Sequence, residues 1–282
     1  MIEAQPSRTA LRVAMRRAFH QLWEEPKVLN DPVILRLLGA EAVAELDGAH
    51  RSSSAGATSL LSFLVARSRY AEDQLALAVA KGVKQYVVLG AGLDTFAYRN
   101  PFATVKIFEV DHPATQAWKR ELLEKAEIDI PGSLVFVPID FEKDTLAKGL
   151  ETAGFKKEEP SFFSWLGVVP YLARDVVLAT LKWVIFSCGQ NGVVFDYAVP
   201  RESLHFFDRL AFDLLARRVS AVGEPFVTFF DHDELERELG GLGFTCVENL
   251  NTEAINARFF PGRSDGLGVT GDFAGLICAS GK

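Results

Sequence analysis

The chain has 282 residues, of which 49% are apolar, enough to bury the core of one enzyme-sized unit. A formal charge of -7 gives no general pull toward nucleic-acid phosphates or anionic membranes, so neither is an expected partner. Cys188, Cys246 and Cys278 are odd in number and far apart, and the histidines show no ligand-like pairing, which argues against disulfides and a metal and for a reducing compartment. The start, MIEAQPSRTALRVAMRR, lacks the parts of a signal peptide, and no stretch approaches a spanning helix, so the expectation is a soluble, cytoplasmic protein.

From Thr9 to Trp23 apolar residues recur at helical spacing, and Arg12, Arg16 and Arg17 on that helix read as a solvated face. Asp31-Pro32 opens a short helix through Leu38, which Gly39 stops. The small, polar run HRSSSAGATS, His50 to Ser59, reads as a mobile loop, with a flexible lid as the sharper alternative. A helix from about Leu60 to Ala80 follows. Strand-like runs then alternate with helical patterns: Tyr86 to Leu89, Lys106 to Val110, Leu134 to Ile139, Phe162 to Leu166 and Val193 to Phe195. Such alternation predicts a parallel sheet with helices on both faces. Leu204, Phe207, Leu210, Leu214 and Leu215 fall on one face of Ser203 to Val219, predicting a packed cap helix. Asp231 with Glu234 starts another helix ending near Gly240-Gly241. Strands at Phe244 to Val247 and Leu276 to Ala279 complete the sheet, on either side of a glycine-rich loop, Gly262 to Gly271, that either touches a ligand or merely connects.

The ends of the first four strands carry the chemistry, because an open α/β sheet binds its ligand there. Strand one ends in Gly90-Ala91-Gly92-Leu93-Asp94, whose glycines let backbone pass close to a ligand. Strand two ends in Glu109-Val110-Asp111, placing an acid where ribose hydroxyls can be bound. Glu109 and Asp111 lie on the same strand face, and either carboxylate could be that acid. Strand three ends in Asp140-Phe141: the carboxylate can accept from an adenine amino group while the ring lies against the base. Taken singly, Asp140 suits a helix cap and Phe141 a core; together they describe an adenosyl site. A dinucleotide fingerprint would need glycine where this chain has Thr95, which weighs against the alternative of a nicotinamide-dependent oxidoreductase.

Several motifs make the chain resemble the leucine carboxyl methyltransferase and polyketide O-methyltransferase-like family of S-adenosylmethionine-dependent enzymes: VARSRYAED from Val65, VVLGAGLDTFAYR from Val87, FEVDHP from Phe108, PIDF from Pro138 and FFSWLGVVPYL from Phe162. The resemblance runs from Pro6 through FFPGRSDGL. It implies one domain over residues 1–282, an α/β class I methyltransferase (Rossmann-like) fold: a doubly wound, mostly parallel sheet with helical caps. Residues 1–80 would form an N-terminal cap and lid, 81–200 the cofactor-binding core, and 201–282 a cap helix with the last strands.

The resemblance further implies that S-adenosylmethionine is the cofactor, with Arg67 pairing with its carboxylate, Gly90 and Gly92 beside its methionine part and Asp111 on its ribose. Asp94 would cap the next helix and reach the ammonium or a water. Some relatives carry glutamate where this chain has Leu166, so no carboxylate contact carries over there. A relative that keeps the cofactor but has lost turnover is a further alternative. The expected acceptor is the carboxyl or hydroxyl of a small molecule. A carboxylate needs no general base and a hydroxyl usually does. No residue stands out as a base, and Tyr171 and His205 are the candidates for the acceptor side.

Overall fold

The computed structural model describes residues 7–49, 55–140, 143–187, 191–220 and 225–281. Its centre is a seven-stranded sheet in the order β3-β2-β1-β4-β5-β7-β6. The strands are β1 Gln85–Leu89, β2 Lys106–Asp111, β3 Leu134–Pro138, β4 Ser161–Trp165, β5 Asn191–Ala198, β6 Cys246–Leu250 and β7 Ala274–Ser280. From β1 to β5 the pairing is parallel, and β7 runs antiparallel between β5 and β6. Every residue of β1, β4 and β5 is buried, which is why these strands appear in the sequence as continuous apolar runs rather than as alternation.

Helices cover both faces. Those in the N-terminal part are α1 Arg8–Trp23, α2 Val33–Ala49 and α3 Ala55–Ala80. Leu61, Val65, Ala66, Tyr70 and Leu75 of α3 join Tyr86, Val88, Phe162 and Val194 of the sheet in one core layer. The helices α4 Pro113–Lys125, α5 Leu146–Thr152, α6 Arg174–Ser187, α7 Phe206–Ser220 and α8 His232–Leu242 follow the strands. Leu150, Val177, Leu181, Val184, Phe212, Leu235 and Leu239 of α5 to α8 meet Val87, Leu89, Phe163 and Phe195 on the opposite face. Among the described residues no helix is long and apolar enough to cross a membrane.

Where the structure departs from expectation, tertiary contacts explain it. Gly39, at φ 80 and ψ 167, breaks the helix after Asp31 as expected, but a second helical segment, absent from the sequence reading, continues directly to Ala49. Ala55 to Ser59, expected in a loop, forms the first turns of α3, while residues 50–54 lie outside the described part. Ser59 and Ser62 are held by the glycine-rich loop, since Ser59 Oγ accepts from Thr270 N at 2.8 Å and Ser62 Oγ from Gly268 N at 3.0 Å. That loop is preceded by a helix with no counterpart in the sequence reading, α9 Thr252–Phe259, capped by Asn251. The face expected to pack α7 is wrong in part. Leu204 and Phe212 are buried, but Leu210 and Leu214 are 65% and 50% exposed, and the side chains of Phe207 and Leu215 lie outside the described part.

His20 on α1 shows how the N-terminal helices are fastened. Its Nε2 accepts from Val28 N at 3.0 Å and from Leu29 N at 3.3 Å, which requires an unprotonated ring. Burial, with Arg263 and Lys27 nearby, pushes its pKa down to about 4. In the unfolded chain a histidine titrates near 6.5, so between about 6.5 and 4 the unfolded state binds more protons. This contribution to stability is therefore complete above about pH 6.5 and is lost as the pH falls toward 4. Urea midpoints of the wild type should fall across that interval, and those of His20→Gln, whose amide oxygen can accept the same N–H groups, should fall less steeply; parallel curves would refute this assignment.

Candidate functional site

The strand order reverses direction between β1 and β4, and the loops after these strands define the crevice where such sheets bind ligands. Gly90 leaves β1 at φ 68, and a Cβ built there would lie 2.4 Å from Val168 Cγ2 in the loop after β4. Gly167 has φ 71, and a Cβ there would lie 2.7 Å from Arg67 Nη2. The two loops approach this closely only because Gly90 carries no side chain, while Gly167 leaves the room that the Arg67 guanidinium of α3 takes. Gly92, at φ 49, lies under α1, with Ala10 Cβ 3.1 Å from the position of its missing Cβ.

Asp111 ends β2 beside this cradle. Its Oδ2 accepts from Gly92 N and its Oδ1 from His112 N, both at 2.6 Å, so it joins the glycine loop to the start of α4. Burial holds this carboxyl above its usual range, against the pull of those two N–H donors. Glu109 is turned elsewhere: it is 1% exposed and its Oε2 accepts from Lys119 Nζ at 2.6 Å, with burial raising its pKa. A residue so enclosed is poorly placed to reach a ribose, leaving Asp111 as the acid at the crevice. Asp140, after β3, is half-buried and paired with Lys143 Nζ at 2.5 Å. Phe141 lies outside the described residues.

Arg67 reaches the crevice from α3. It is 8% exposed, and its Nη1 donates to Asp196 Oδ2 on β5 at 2.9 Å. The other oxygen of Asp196 accepts from Gly167 N at 2.5 Å. Asp196 had been missed in the sequence, where the one signal was an acid inside the apolar run VVFDYA.

The glycine loop is also tied to the N-terminal helices by a buried charge network. Asp94 Oδ1 accepts at 2.8 Å from the N–H of Phe96, the first residue of the short 3₁₀ turn Phe96–Tyr98, and its Oδ2 lies 3.7 Å from Arg17 Nη1. Arg17 is not on a solvated face. It is 3% exposed, and its Nη2 pairs with Asp31 at 2.5 Å and donates to Thr95 Oγ1 at 2.8 Å. Thr95 in turn donates to Asp31 Oδ1 at 2.6 Å, and Arg99 joins both Asp31, at 3.2 Å, and Glu72, at 2.8 Å. Burial alone would raise the pKa of Asp31, but Arg17, Arg99 and Thr95 together hold it below the usual range.

On the side expected to face the acceptor, Tyr171 ends a 3₁₀ turn after β4 and packs against Phe226, ring centroids 5.5 Å apart. Phe212 of α7 stands 6.1 Å from Phe226 and 6.0 Å from Phe229, extending the aromatic group. His205 is exposed just before α7, and its carbonyl accepts from Arg209 N.

Sheet order, glycine cradle and strand-end acid together define a class I S-adenosylmethionine-dependent methyltransferase, and comparison with known proteins agrees. The family model described as Leucine carboxyl methyltransferase matches residues 10–185, and the chain belongs to that family. YktD of Bacillus subtilis (strain 168), named as an S-adenosyl-L-methionine-dependent methyltransferase, is 40% identical over 207 residues, 72% of this chain and 67% of its own. A Mycobacteroides abscessus protein named for the same activity is 33% identical over 181 residues, 62% of this chain and 59% of its own. The matched regions thus span about two thirds or less of the length of these relatives.

Among solved structures, a methyltransferase from Thermobifida fusca YX covers 100% of this chain and 97% of its own at a TM-score of 0.59 and 17% identity. A DUF574 family protein from Streptomyces avermitilis MA-4680 covers 95% and 97% at a TM-score of 0.55 and 14% identity. At these identities the likeness is one of fold. S-adenosylmethionine is the cofactor, and none of these comparisons supports a nicotinamide-dependent oxidoreductase.

The charge network makes a test of the link between α1 and the glycine loop. Asp31→Ala leaves Arg17 and Arg99 without their shared buried acid and should cost about 3 to 5 kcal/mol in chemical denaturation. A loss under about 1 kcal/mol would show that the network does not hold the helices to the loop.

Proposed function

We propose that the enzyme methylates an oxygen, carboxyl or hydroxyl, on a small and largely apolar acceptor. The observation that carries this reading is the aromatic group of Tyr171, in the 3₁₀ turn after β4, with Phe212 of α7, Phe226 and Phe229. Rings so grouped suit an apolar body better than a charged peptide or a nucleic acid.

The residues at the crevice fit the cofactor. Gly90 and Gly167 present bare backbone at the ends of β1 and β4, packed against Val168 and Arg67, and Asp111 stands at the adjoining strand end. In this reading Asp111 takes the ribose hydroxyls, Asp140 the adenine amino group with Phe141 against the base, and Arg67 the carboxylate. Gly90 and Gly92 admit the methionine part, and Asp94 braces the loop. When bound, S-adenosylmethionine supplies a methyl group made electrophilic by its sulfonium. The protein's part is to align the acceptor and keep water out, which favours an in-line displacement. A carboxylate acceptor needs no base, whereas with a hydroxyl acceptor Tyr171 or His205 would have to take the proton. Residues 1–80 act as the cap and lid, 81–200 as the cofactor core and 201–282 as the acceptor-side cap, in a cytoplasmic enzyme.

Calorimetry with S-adenosylhomocysteine tests the residue roles. Asp111→Ala and Arg67→Ala should each weaken binding at least about tenfold, equivalent to about 1.4 kcal/mol, with the fold retained by circular dichroism. Wild-type affinity in both would reject the assignment. Transfer of a radiolabelled methyl group to a panel of apolar acids and phenols tests the acceptor class: label released by mild alkali marks an ester, stable label an ether, and label on nitrogen or carbon acceptors alone would refute oxygen methylation.

A further inference from the structure

The Arg67–Asp196 pair is an unusual use of charge in a buried place. Both side chains are nearly closed to water, at 10% and 6% exposure, and they come from distant parts of the chain. Burying two ions costs several kcal/mol, and a pair in the interior often adds little to stability over an apolar alternative. The register explains where the acid stands. Trp165 of β4 pairs with Phe195 of β5, so Asp196 lies one residue beyond the last paired position, beside Leu166 and at the mouth of the crevice. Each oxygen is fixed by a different partner: Oδ1 by Gly167 N, which belongs to the cradle, and Oδ2 by Arg67. A net-neutral, preset pair of opposite charges is the complement of a zwitterion, and the amino-acid end of the cofactor is a zwitterion.

We propose that Arg67 and Asp196 together receive that end, Arg67 facing the carboxylate and Asp196 supplying the negative charge for the ammonium that Leu166 cannot. This rests on the assignment of the cofactor to the cradle given above and adds a residue to it. The pair enters binding already oriented, so little side-chain freedom is lost when the ligand arrives. Being fixed from two sides, Asp196 also joins the Gly167 turn to Arg67, which couples the position of that turn to the charge that reads the ligand.

The test is binding rather than turnover. Affinities of S-adenosylhomocysteine and of its deaminated analogue, with hydrogen in place of the ammonium, are measured by calorimetry for the wild type, Asp196→Asn and Asp111→Ala. The wild type should prefer S-adenosylhomocysteine by at least about tenfold, and Asp196→Asn, which can still accept from Gly167 N, should bind the two within about threefold of each other. A wild type that binds both equally, or an Asp196→Asn variant that keeps the wild-type ratio, overturns the proposal. The ratio within one variant is insensitive to a uniform loss of stability, and a wild type that binds both ligands equally overturns the proposal even if Asp196→Asn does not fold. Asp111→Ala separates the two levels: if it weakens both ligands while the Asp196→Asn ratio stays at the wild-type value, the cradle assignment stands and only the role of Asp196 falls. If it weakens neither, both fall.

Discussion

The molecule depends on how closely two loops can approach at the point where its sheet changes direction. Gly90 after β1 and Gly167 after β4 both adopt left-handed backbone, and each has a neighbouring side chain where its own Cβ would be. A residue with a side chain at either position would carry backbone strain; at Gly90 it would also push the two loops apart, and at Gly167 it would displace Arg67 of α3. Around this contact the other parts fall into place. Asp111 ties β2 to the glycine loop, Asp196 ties β5 to the Gly167 turn, and α1 lies across Gly92. The proposed cofactor site is therefore made by the same contacts that close the middle of the sheet.

Charge is handled by one rule throughout the interior. Arg17, Arg67 and Lys119 are all buried, and each ends on a carboxylate: Asp31, Asp196 and Glu109. These pairs do different things. Lys119 and Glu109 neutralise each other beneath α4, away from the crevice, whereas Arg17 and Asp31 enlist Thr95 and so fasten the N-terminal helices to the glycine loop. Thr95, whose presence argues against a dinucleotide site, thus has a positive use as the hydroxyl that joins an acid to an arginine.

The strands and the crevice were legible because their signals are local. A wholly buried parallel strand must be apolar along its length, and a tight turn at its end must be glycine, so β1, β2 and the loop between them are readable from about twenty-five residues. Arg17 was misread because helical spacing alone does not tell which face meets another helix; its partner Asp31 sits beyond a loop, and Thr95 is farther still. Asp196 was missed for a related reason, since an acid in an apolar run gains its meaning only from the register that sets β5 beside β4. The length of α3 depends on hydrogen bonds from a loop some two hundred residues later, which no window of sequence contains.

The position of β7 has a consequence for the order of assembly. It follows β6 in sequence, yet it lies between β5 and β6, so β6 has no place in the sheet until β7 has been made. Leu276 of β7 is the backbone partner of Asp196. The carboxylate that meets Arg67 therefore sits on an unfinished sheet edge until β7 pairs with β5.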